Sequence, residues 1–404
     1  MIDTAVVVCP RADMPEASLL GVRVGGLRLF ARTLLTARQA GVERFVVVAS
    51  EPQQAGLRFQ LERDVRLRDR VRWAEPAEAL PALANCLLVL PTVLLEAGAL
   101  RRWIERAVAD GSLIAAESGG GPLVVPAREL RACVEAALGG VAGVTRYLAR
   151  LQGQGPLCRV AWEGIDQHPL QSVQEVPEVE HRMIAAFRSP EDGPIVDRYV
   201  NRTLSAHLSR KLVAWPVTPN QITVASLVAG LLGAWLLHLE GVLASLAGLV
   251  LFQLSMVLDH VDGEVARLTF QFSRLGKWLD NFSDHVVDLA VIACLTWRVV
   301  VSGTTGHLAV LGLASAIGVT GAFLVVFWWS LSGQPLEVRC TNAARRVAPA
   351  LSALANRDGF CLALWATLLL DRPTWFLWIL ALGANAYWMA WLLTYGLPPS
   401  ASRR

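Results

Sequence analysis

Four aspartates lie in two closely spaced pairs beside long apolar stretches of this chain. Asp259 and Asp262 are three residues apart, and Asp280 and Asp284 are four residues apart. On a helix, either spacing places both side chains of a pair on the same face. The first pair follows one apolar run, and the second pair leads into the next. We therefore expect the four carboxylates to meet where two membrane helices converge.

The chemistry that four such carboxylates favour is metal binding. Four negative charges within a few ångströms would repel one another unless protons or divalent cations neutralised them. Carboxylate oxygens at helical spacing suit Mg²⁺ or Mn²⁺. Each aspartate alone is also explained as an exposed acid at a helix end. Gly263, Ala266 and Gly276 lie between the aspartates, and this combination favours a metal site over four unrelated helix ends.

The apolar residues that must position these aspartates are concentrated in the second half of the chain. The sequence is 54% hydrophobic and has a mean hydropathy of +0.43, which is too apolar for an ordinary soluble protein. The formal net charge of +3 gives no indication of nucleic-acid binding. Six apolar segments lie at 222–239, 241–258, 280–301, 308–331, 360–370 and 374–395. The fifth is shorter than the roughly 20 residues that a span needs, so we expect it to begin near Leu351.

The first half has the pattern of a soluble domain. Strand candidates at 5–9, 44–49, 86–90, 113–116 and 123–126 alternate with helical stretches at 27–40, 98–108 and 127–137. This alternation predicts a parallel α/β sheet covered by helices on both faces. The expected organisation is thus a soluble α/β domain at 1–188, a linker with an interfacial amphipathic helix at 189–221, and an all-α membrane domain of six transmembrane helices at 222–404. Basic residues of the interfacial helix are expected to face lipid phosphates.

The motif D-x2-D-G-x2-A-R-x8-G-x3-D-x3-D, from Asp259 to Asp284, resembles the signature of the CDP-alcohol phosphotransferase (phosphatidyltransferase) family. The resemblance implies an integral membrane enzyme that moves a substituted phosphate from a CDP-linked donor to an alcohol hydroxyl and releases CMP. It also implies a homodimer. By the same resemblance, Asp259, Asp262 and Asp280 are ligands of Mg²⁺ or Mn²⁺, with two ions expected. Asp284 is then both a further ligand and the general base.

Six other residues are expected to line the binding site for the nucleotide part of the CDP-linked donor. The family resemblance implies that Gly263, Ala266 and Gly276 leave room for it, and that Arg267 balances the acidic site or holds phosphate. The segment from Thr218 to Thr223 resembles what precedes the first span in this family. Asn220 and Thr218 in that segment either reach the nucleotide or cap a helix.

Residues 25–48 are similar to sugar-phosphate nucleotidyltransferases, a domain found in bifunctional inositol-1-phosphate cytidylyltransferase and di-myo-inositol phosphate phosphate synthases. An active member has a glycine-rich loop after its first strand, whose backbone N–H groups hold a triphosphate. Here residues 9–16 contain two prolines and no glycine, and Pro91-Thr92 follows the strand that should deliver a metal-binding aspartate. We expect this domain to lack cytidylyltransferase activity.

Basic residues give an orientation and a candidate for the acceptor site. They are concentrated before the first span, between the second and third, and between the fourth and fifth. The positive-inside bias places both termini, the soluble domain and the aspartates on the cytoplasmic side of the cell inner membrane. Arg357 is a candidate to bind an acceptor phosphate, because ionisable residues at membrane depth are functional hypotheses by default. Arg345 and Arg346 are further candidates, with a structural role as the alternative.

The sequence leaves several readings open. A CDP-diacylglycerol donor would give a phospholipid, whereas a soluble CDP-inositol donor would give a di-inositol phosphate or its phosphorylated form, as a di-myo-inositol phosphate phosphate synthase does. A transporter or proton relay would also use intramembrane carboxylates, although its polar groups should lie nearer mid-membrane. An inactive scaffold is the third reading, and the intact aspartates disfavour it for the membrane half.

Overall fold

The structure is a computed structural model that forms two compact units, Met1–Ala186 and Phe187–Arg404. It describes residues 2–62, 64–76, 85–107, 113–116, 121–152, 157–162, 168–187, 195–303, 307–332 and 357–395.

A seven-stranded mixed sheet is the centre of the N-terminal unit. Its strands are β1 (Thr4–Val8), β2 (Arg44–Val48), β3 (Val71–Ala74), β4 (Asn85–Val89), β5 (Leu113–Ala116), β6 (Leu123–Pro126) and β7 (Leu157–Val160). Their spatial order is β7-β5-β6-β4-β1-β2-β3. Strand β6 runs antiparallel to both β4 and β5, while every other pair is parallel. The unit therefore has an α/β fold, as expected, but the expectation of an all-parallel sheet was wrong at 123–126.

In the described part of this unit, six α-helices and two short antiparallel strand pairs accompany this sheet. The helices are α1 (Leu29–Gln39), α2 (Glu51–Leu61), α3 (Ala97–Ala107), α4 (Leu130–Ala137), α5 (Gly140–Leu151) and α6 (Val176–Ala185). The short pairs join Arg23–Val24 to Leu27–Arg28 and Val93–Leu94 to His168–Pro169. All five residues of β1 are buried, as expected for a central strand with both faces covered.

The membrane unit begins with a single π-type turn, Asp197–Asn201, that continues into α7 (Arg202–Leu212). Glu264 holds α7 in place, because its buried carboxylate accepts hydrogen bonds from Ser205 Oγ at 2.8 Å and Ser209 Oγ at 2.6 Å. Arg202 also pairs with it, at 3.3 Å. Arg202 is buried, so the expectation that the basic residues of this helix face lipid phosphates was wrong at this position. The reason is the buried carboxylate on the neighbouring helix.

Within the described residues, six longer helices follow: α8 (Pro219–Leu237), α9 (Val242–Thr269), α10 (Arg274–Ser302), α11 (His307–Ser332), α12 (Arg357–Leu369) and α13 (Pro373–Tyr395). Five of them, all but α12, are long and apolar enough to cross a membrane. Helix α12 has 13 residues, about 20 Å at 1.5 Å per residue, and is shorter than a hydrocarbon core of about 30 Å. The predicted start near Leu351 lies outside the described residues, so the sixth span stays a prediction.

Helices α8 and α9 approach closely because both carry glycine at their contact. A Cβ on Gly233 would lie 2.9 Å from both the Gly248 carbonyl oxygen and the Phe252 nitrogen. A Cβ on Gly248 would likewise lie 2.9 Å from the Gly233 carbonyl oxygen. Small residues at a helix contact allow two backbones to pack in the membrane without a side chain between them.

Helix α9 extends well beyond the apolar run that predicted it. It continues through the aspartate motif to Thr269 and ends where Phe270 takes a left-handed conformation with φ 55°. Helix α10 begins at Arg274, where Ser273 Oγ accepts the Gly276 N–H at 2.8 Å. The first aspartate pair therefore lies near the end of α9, and the second lies near the start of α10.

Candidate active site

Three of the four predicted aspartates form a compact group. Asp259 and Asp262 on α9 and Asp280 on α10 each offer a carboxylate oxygen, and the three oxygens lie within 4.8 Å of one another. Asp262 is 5% exposed, and its Oδ2 accepts a hydrogen bond from Thr223 Oγ1 at 2.5 Å. Thr223 is itself buried on α8. Helices α8, α9 and α10 thus all contribute to one acidic site.

The chemistry of this group fits a hard divalent cation. Asp280 Oδ1 is buried and has no hydrogen-bond partner among the described residues. A buried polar atom left without a partner costs about 1–3 kcal/mol, and a charged group costs more. Three carboxylates from two helices supply the oxygen ligands that Mg²⁺ and Mn²⁺ prefer. The group could therefore hold such an ion.

Asp284 lies outside this group of three and is paired with Arg357. The Arg357 guanidinium, at the start of α12, donates through Nη1 to Asp284 Oδ1 at 2.5 Å and to Asp259 Oδ2 at 2.9 Å. One arginine nitrogen therefore bridges the predicted base and one predicted metal ligand. Only the juxtaposition is given by the structure, so the roles of both aspartates stay predictions.

The other edge of Arg357 has a different environment. Its Nε and Nη2 atoms are buried and have no hydrogen-bond partner among the described residues. These two N–H groups form the fork with which arginine binds a carboxylate or a phosphate. Arg345 and Arg346, the other predicted acceptor contacts, lie outside the described residues.

The predicted small residues have distinct surroundings. A Cβ on Gly263 would meet no atom within 4 Å, so the surface beside Asp262 is open there. A Cβ on Gly276 would lie 2.8 Å from Ser273 Oγ and 2.9 Å from Asn220 Oδ1. Gly276 therefore lets Asn220 of α8 approach α10. Ala266 is half-buried on α9.

Two predicted nucleotide contacts are engaged elsewhere. Arg267 is exposed and donates to the Phe187 carbonyl oxygen at 3.3 Å, with its guanidinium 5.5 Å from the centre of the Phe187 ring. Thr218 caps α8: its Oγ1 accepts the Gln221 N–H at 3.4 Å, and its own N–H donates to Gln221 Oε1 at 2.9 Å. This reciprocal pair is a capping box, which is the structural alternative that the sequence left open for Thr218.

Two further residues belong to the site's surroundings and were not predicted. Thr223 had no distinguishing signal, because it is 39 residues from the aspartate that it contacts. Asp288 lies one helical turn beyond Asp284 on α10, and its Oδ1 is buried without a hydrogen-bond partner in the described ranges. The spacing 280-284-288 would have identified it as a third carboxylate on the same face.

Among the residues of the N-terminal unit that the structure describes, no comparable group lies at the ends of the central strands. Thr92, which follows β4, is fully buried, and its hydroxyl lacks a hydrogen-bond partner within the described part of the chain. After β1, the Arg11 N–H donates to the Leu138 carbonyl oxygen, and the Pro10 carbonyl accepts from Gln53 Nε2. Burial raises the pKa of Cys9 in the same loop to about 12, so its thiol stays protonated at neutral pH.

Comparison with known proteins identifies the membrane half. Residues 216–396 match the sequence model of the CDP-alcohol phosphatidyltransferase family. This range contains α8 to α13 with the aspartate group, Asp284 and Arg357.

Two relatives and one solved structure are similar to parts of the chain. A bifunctional IPC transferase and DIPP synthase from Thermococcus kodakarensis is 33% identical over 39% of this chain and 35% of its own length. An archaetidylinositol phosphate synthase from Aeropyrum pernix is 44% identical over 17% of this chain and 34% of its own length. The chain thus spans about a third of the length of these relatives.

The solved structure is a nucleotidyl transferase from Methanothermobacter, with a TM-score of 0.36 at 18% identity over 45% of this chain and 98% of the other. That TM-score is too low to support a conclusion about function. The match at 216–396 spans the aspartate motif and every helix that carries the site. Residues 216–396 therefore form a domain of the CDP-alcohol phosphatidyltransferase family.

Proposed function

We propose that this protein is an integral membrane CDP-alcohol phosphotransferase, which transfers a substituted phosphate from a CDP-linked donor to an alcohol and releases CMP. The observation that carries the proposal is the group formed by Asp259, Asp262 and Asp280, whose oxygens lie within 4.8 Å inside the family-matched region. A group of acids on two helices needs cations, and this transfer needs cations at a pyrophosphate.

On the donor side, Asp259, Asp262 and Asp280 would hold Mg²⁺ or Mn²⁺, and Asp284 would complete the ligands for two ions. Divalent cations there supply charge that neutralises the donor's pyrophosphate and stabilises CMP as it leaves. Thr223 fixes the Asp262 carboxylate by its hydrogen bond. The open surface at Gly263 is where we place the nucleotide, with Ala266, Gly276 and Asn220 around it; Arg267 would have to leave Phe187 to join them.

On the acceptor side, Asp284 takes the proton of the attacking hydroxyl. The acceptor oxygen forms its bond to phosphorus in line with the phosphorus–oxygen bond that breaks to free CMP. Arg357 orients Asp284 through Nη1. Its Nε and Nη2 atoms, which lack partners among the described residues, are placed to receive an anionic group of the acceptor.

We propose an inositol phosphate as the acceptor, because both relatives described above have inositol phosphate or DIPP chemistry in their names. The donor is either a CDP-linked lipid such as CDP-diacylglycerol, giving a phospholipid, or soluble CDP-inositol, giving a di-inositol phosphate that keeps the acceptor's own phosphate. The Nε and Nη2 edge of Arg357, which lacks a hydrogen-bond partner among the described residues, suits a phosphorylated acceptor in either case.

The experiment is a matrix of donors and acceptors with the purified chain in detergent. CDP-diacylglycerol and CDP-inositol are each combined with inositol 1-phosphate, glycerol 3-phosphate or serine, with and without Mg²⁺. We expect Mg²⁺-dependent CMP release with inositol 1-phosphate, and thin-layer chromatography of labelled products identifies the donor. CMP release with serine alone would remove the acceptor assignment and leave the reaction class intact.

We further propose that the enzyme is a homodimer with its soluble domain and aspartates at the cytoplasmic face of the inner membrane. CDP-linked substrates are cytoplasmic, and the basic residues before α8 and between α9 and α10 favour this orientation. Labelling of Cys158, which is exposed in the N-terminal unit, by an impermeant maleimide tests it. Labelling is expected in inside-out vesicles and not in right-side-out vesicles.

A further inference from the structure

A buried carboxylate next to Arg357 fixes the turn that opens the membrane unit. Asp358 is 1% exposed. Its Oδ2 accepts the N–H groups of Ile195 at 2.8 Å and Val196 at 3.1 Å, and its Oδ1 accepts the N–H of Asp197 at 2.8 Å. These donors are the free N–H groups at the start of a helical segment, where a negative charge is favourable. Asp358 therefore joins the first turn of α12 to residues 195–201, here termed the 195–201 turn.

The same turn is also joined to α9. Asp197 Oδ1 lies 3.1 Å from His260 Nε2 and accepts a hydrogen bond from Asn201 Nδ2 at 2.6 Å. Asn201 Oδ1 in turn accepts from Gln253 Nε2 at 2.5 Å. Two positions of α9, His260 and Gln253, thus hold the side of the turn opposite Asp358.

Asp259-His260 on α9 and Arg357-Asp358 on α12 are arranged in the same way: the first residue lies in the acidic site and the second contacts the 195–201 turn. On α9, Asp259 lies in the acidic site, and its neighbour His260 contacts the 195–201 turn. On α12, Arg357 lies in the acidic site, and its neighbour Asp358 contacts the same turn. The first members of the two pairs bond to each other at 2.9 Å. The turn therefore connects the two helices directly beside their ion pair.

We propose that Asp358 is a positioning residue: by fixing the 195–201 turn against the start of α12, it holds Arg357 on Asp259 and Asp284. It touches none of the proposed reacting groups. Three hydrogen bonds to one carboxylate restrain α12 far more than a single bond would, and charge-assisted bonds are the stronger class. An asparagine at 358 would keep the shape but would present an NH₂ group to a backbone N–H.

This role predicts an effect on metal binding that is independent of catalysis, and it rests on the proposed function only in taking Asp259 as a metal ligand. A guanidinium 2.9 Å from Asp259 Oδ2 repels a cation and occupies a ligand oxygen. Removing it should tighten Mn²⁺ binding by about three- to tenfold. If Asp358 acts through Arg357, loss of Asp358 should change Mn²⁺ binding in the same direction.

The test is a Mn²⁺ titration, followed by electron paramagnetic resonance, of the purified full chain without substrate. It compares the wild type with R357Q, D358N, the double variant and R298Q. Arg298 is the control because it is buried and donates to Ser245 Oγ at 2.9 Å at the other end of α9. We expect R357Q and D358N each to tighten Mn²⁺ binding, the double variant to match R357Q within about twofold, and R298Q to match the wild type.

Two results would overturn the proposal. One is a folded D358N whose Mn²⁺ affinity equals or falls below the wild-type value. The other is a double variant whose change equals the product of the two single changes, since independent sites behave in that way. Should D358N not fold, Ile195→Pro removes one of the three donors without changing charge, and a smaller tightening is expected. An absence of CMP release from the wild type would end the proposed function but leave this titration interpretable.

Discussion

At the scale of single residues, Thr223 shows how a neutral side chain can set the properties of an acidic site. Its hydroxyl donates to Asp262 Oδ2 at 2.5 Å and is buried with it. Thr223→Val keeps the shape and removes the donor. Removing a hydrogen-bond partner of a metal ligand typically lowers metal affinity by about 10–100-fold. We therefore expect Thr223→Val to bind Mn²⁺ at least tenfold more weakly than the wild type.

The matched control is Thr367→Val on α12. Thr367 is also buried, but its hydroxyl donates, within the described residues, to carbonyl oxygens of its own helix, those of Ala363 and Leu364. The Thr367→Val variant should have the Mn²⁺ affinity of the wild type. Equal Mn²⁺ affinities for Thr223→Val and the wild type would show that the hydrogen bond does not act on the site.

A substitution at Gly263 tests whether the nucleotide binds against this part of α9. Apart from the nearby backbone of its own helix, no described atom lies within 4 Å of an added Cβ, and alanine is better than glycine inside a helix by about 1 kcal/mol. Gly263→Ala should therefore fold at least as well as the wild type. If the nucleotide lies there, the KM for the CDP-linked donor should rise about tenfold or more. Gly383→Ala, which is equally open on α13, should leave that KM unchanged. A donor KM that is the same in both variants would place the nucleotide elsewhere.

The residue types of the site were predictable, but their pairing was not. Helical spacing was enough to bring together Asp259 and Asp262, and a convergence of two helices was enough to add Asp280. The ion pair of Arg357 with Asp259 joins residues 98 positions apart. Helical spacing relates only residues that are close in the sequence, so it could not predict this contact. Arg357 was therefore proposed as functional from its charge in an apolar region, without its partners being known.

At the scale of helices, buried polar contacts add to the apolar packing of Leu208 and Leu212 that joins α7 to α9. Ser205, Ser209 and Arg202 all converge on Glu264, which is 1% exposed. Glu264→Gln removes the charge that Arg202 needs, and breaking a buried ion pair costs about 3–5 kcal/mol. We expect a clear drop in the thermal unfolding temperature and faster proteolysis near α7.

Glu240→Gln is the control for that variant. Glu240 is exposed at the junction of α8 and α9, and removing its charge should change the unfolding temperature little. A Glu264→Gln variant as stable as Glu240→Gln would mean that α7 is held by other contacts.

The regular elements followed from the sequence wherever one face was continuously apolar. Strands β1, β2, β4, β5 and β6 and helices α8, α11 and α13 were predicted within a few residues, whereas α9 ends 11 residues later than predicted and α10 begins six residues earlier. Strands β3 and β7 were missed because they lie at the two edges of the sheet and carry exposed arginines, Arg72 and Arg159. The antiparallel direction of β6 was also missed, because strand direction depends on how the chain connects the strands and not on local composition.

At the scale of the whole molecule, we expect the N-terminal unit to be inactive as a cytidylyltransferase and the membrane unit to be an active transferase. The N-terminal unit has the α/β fold but no carboxylate at Thr92 and no glycine in the loop after β1. With CTP, inositol 1-phosphate and Mg²⁺, we expect the full chain to release no pyrophosphate above the no-enzyme rate. Sustained pyrophosphate release would show that a different set of residues supports cytidylyl transfer.

The membrane unit carries the central claim, which is that metal ions held by Asp259, Asp262 and Asp280 drive transfer from a CDP-linked donor. The most direct measurement is CMP release by the purified chain and its Asp280→Ala variant, with excess Mg²⁺ and then with EDTA. We expect the wild type to release CMP only with the metal, and the folded variant to lose at least about a thousandfold of that rate. CMP release at the wild-type rate by Asp280→Ala, or by the wild type in EDTA, would contradict the account.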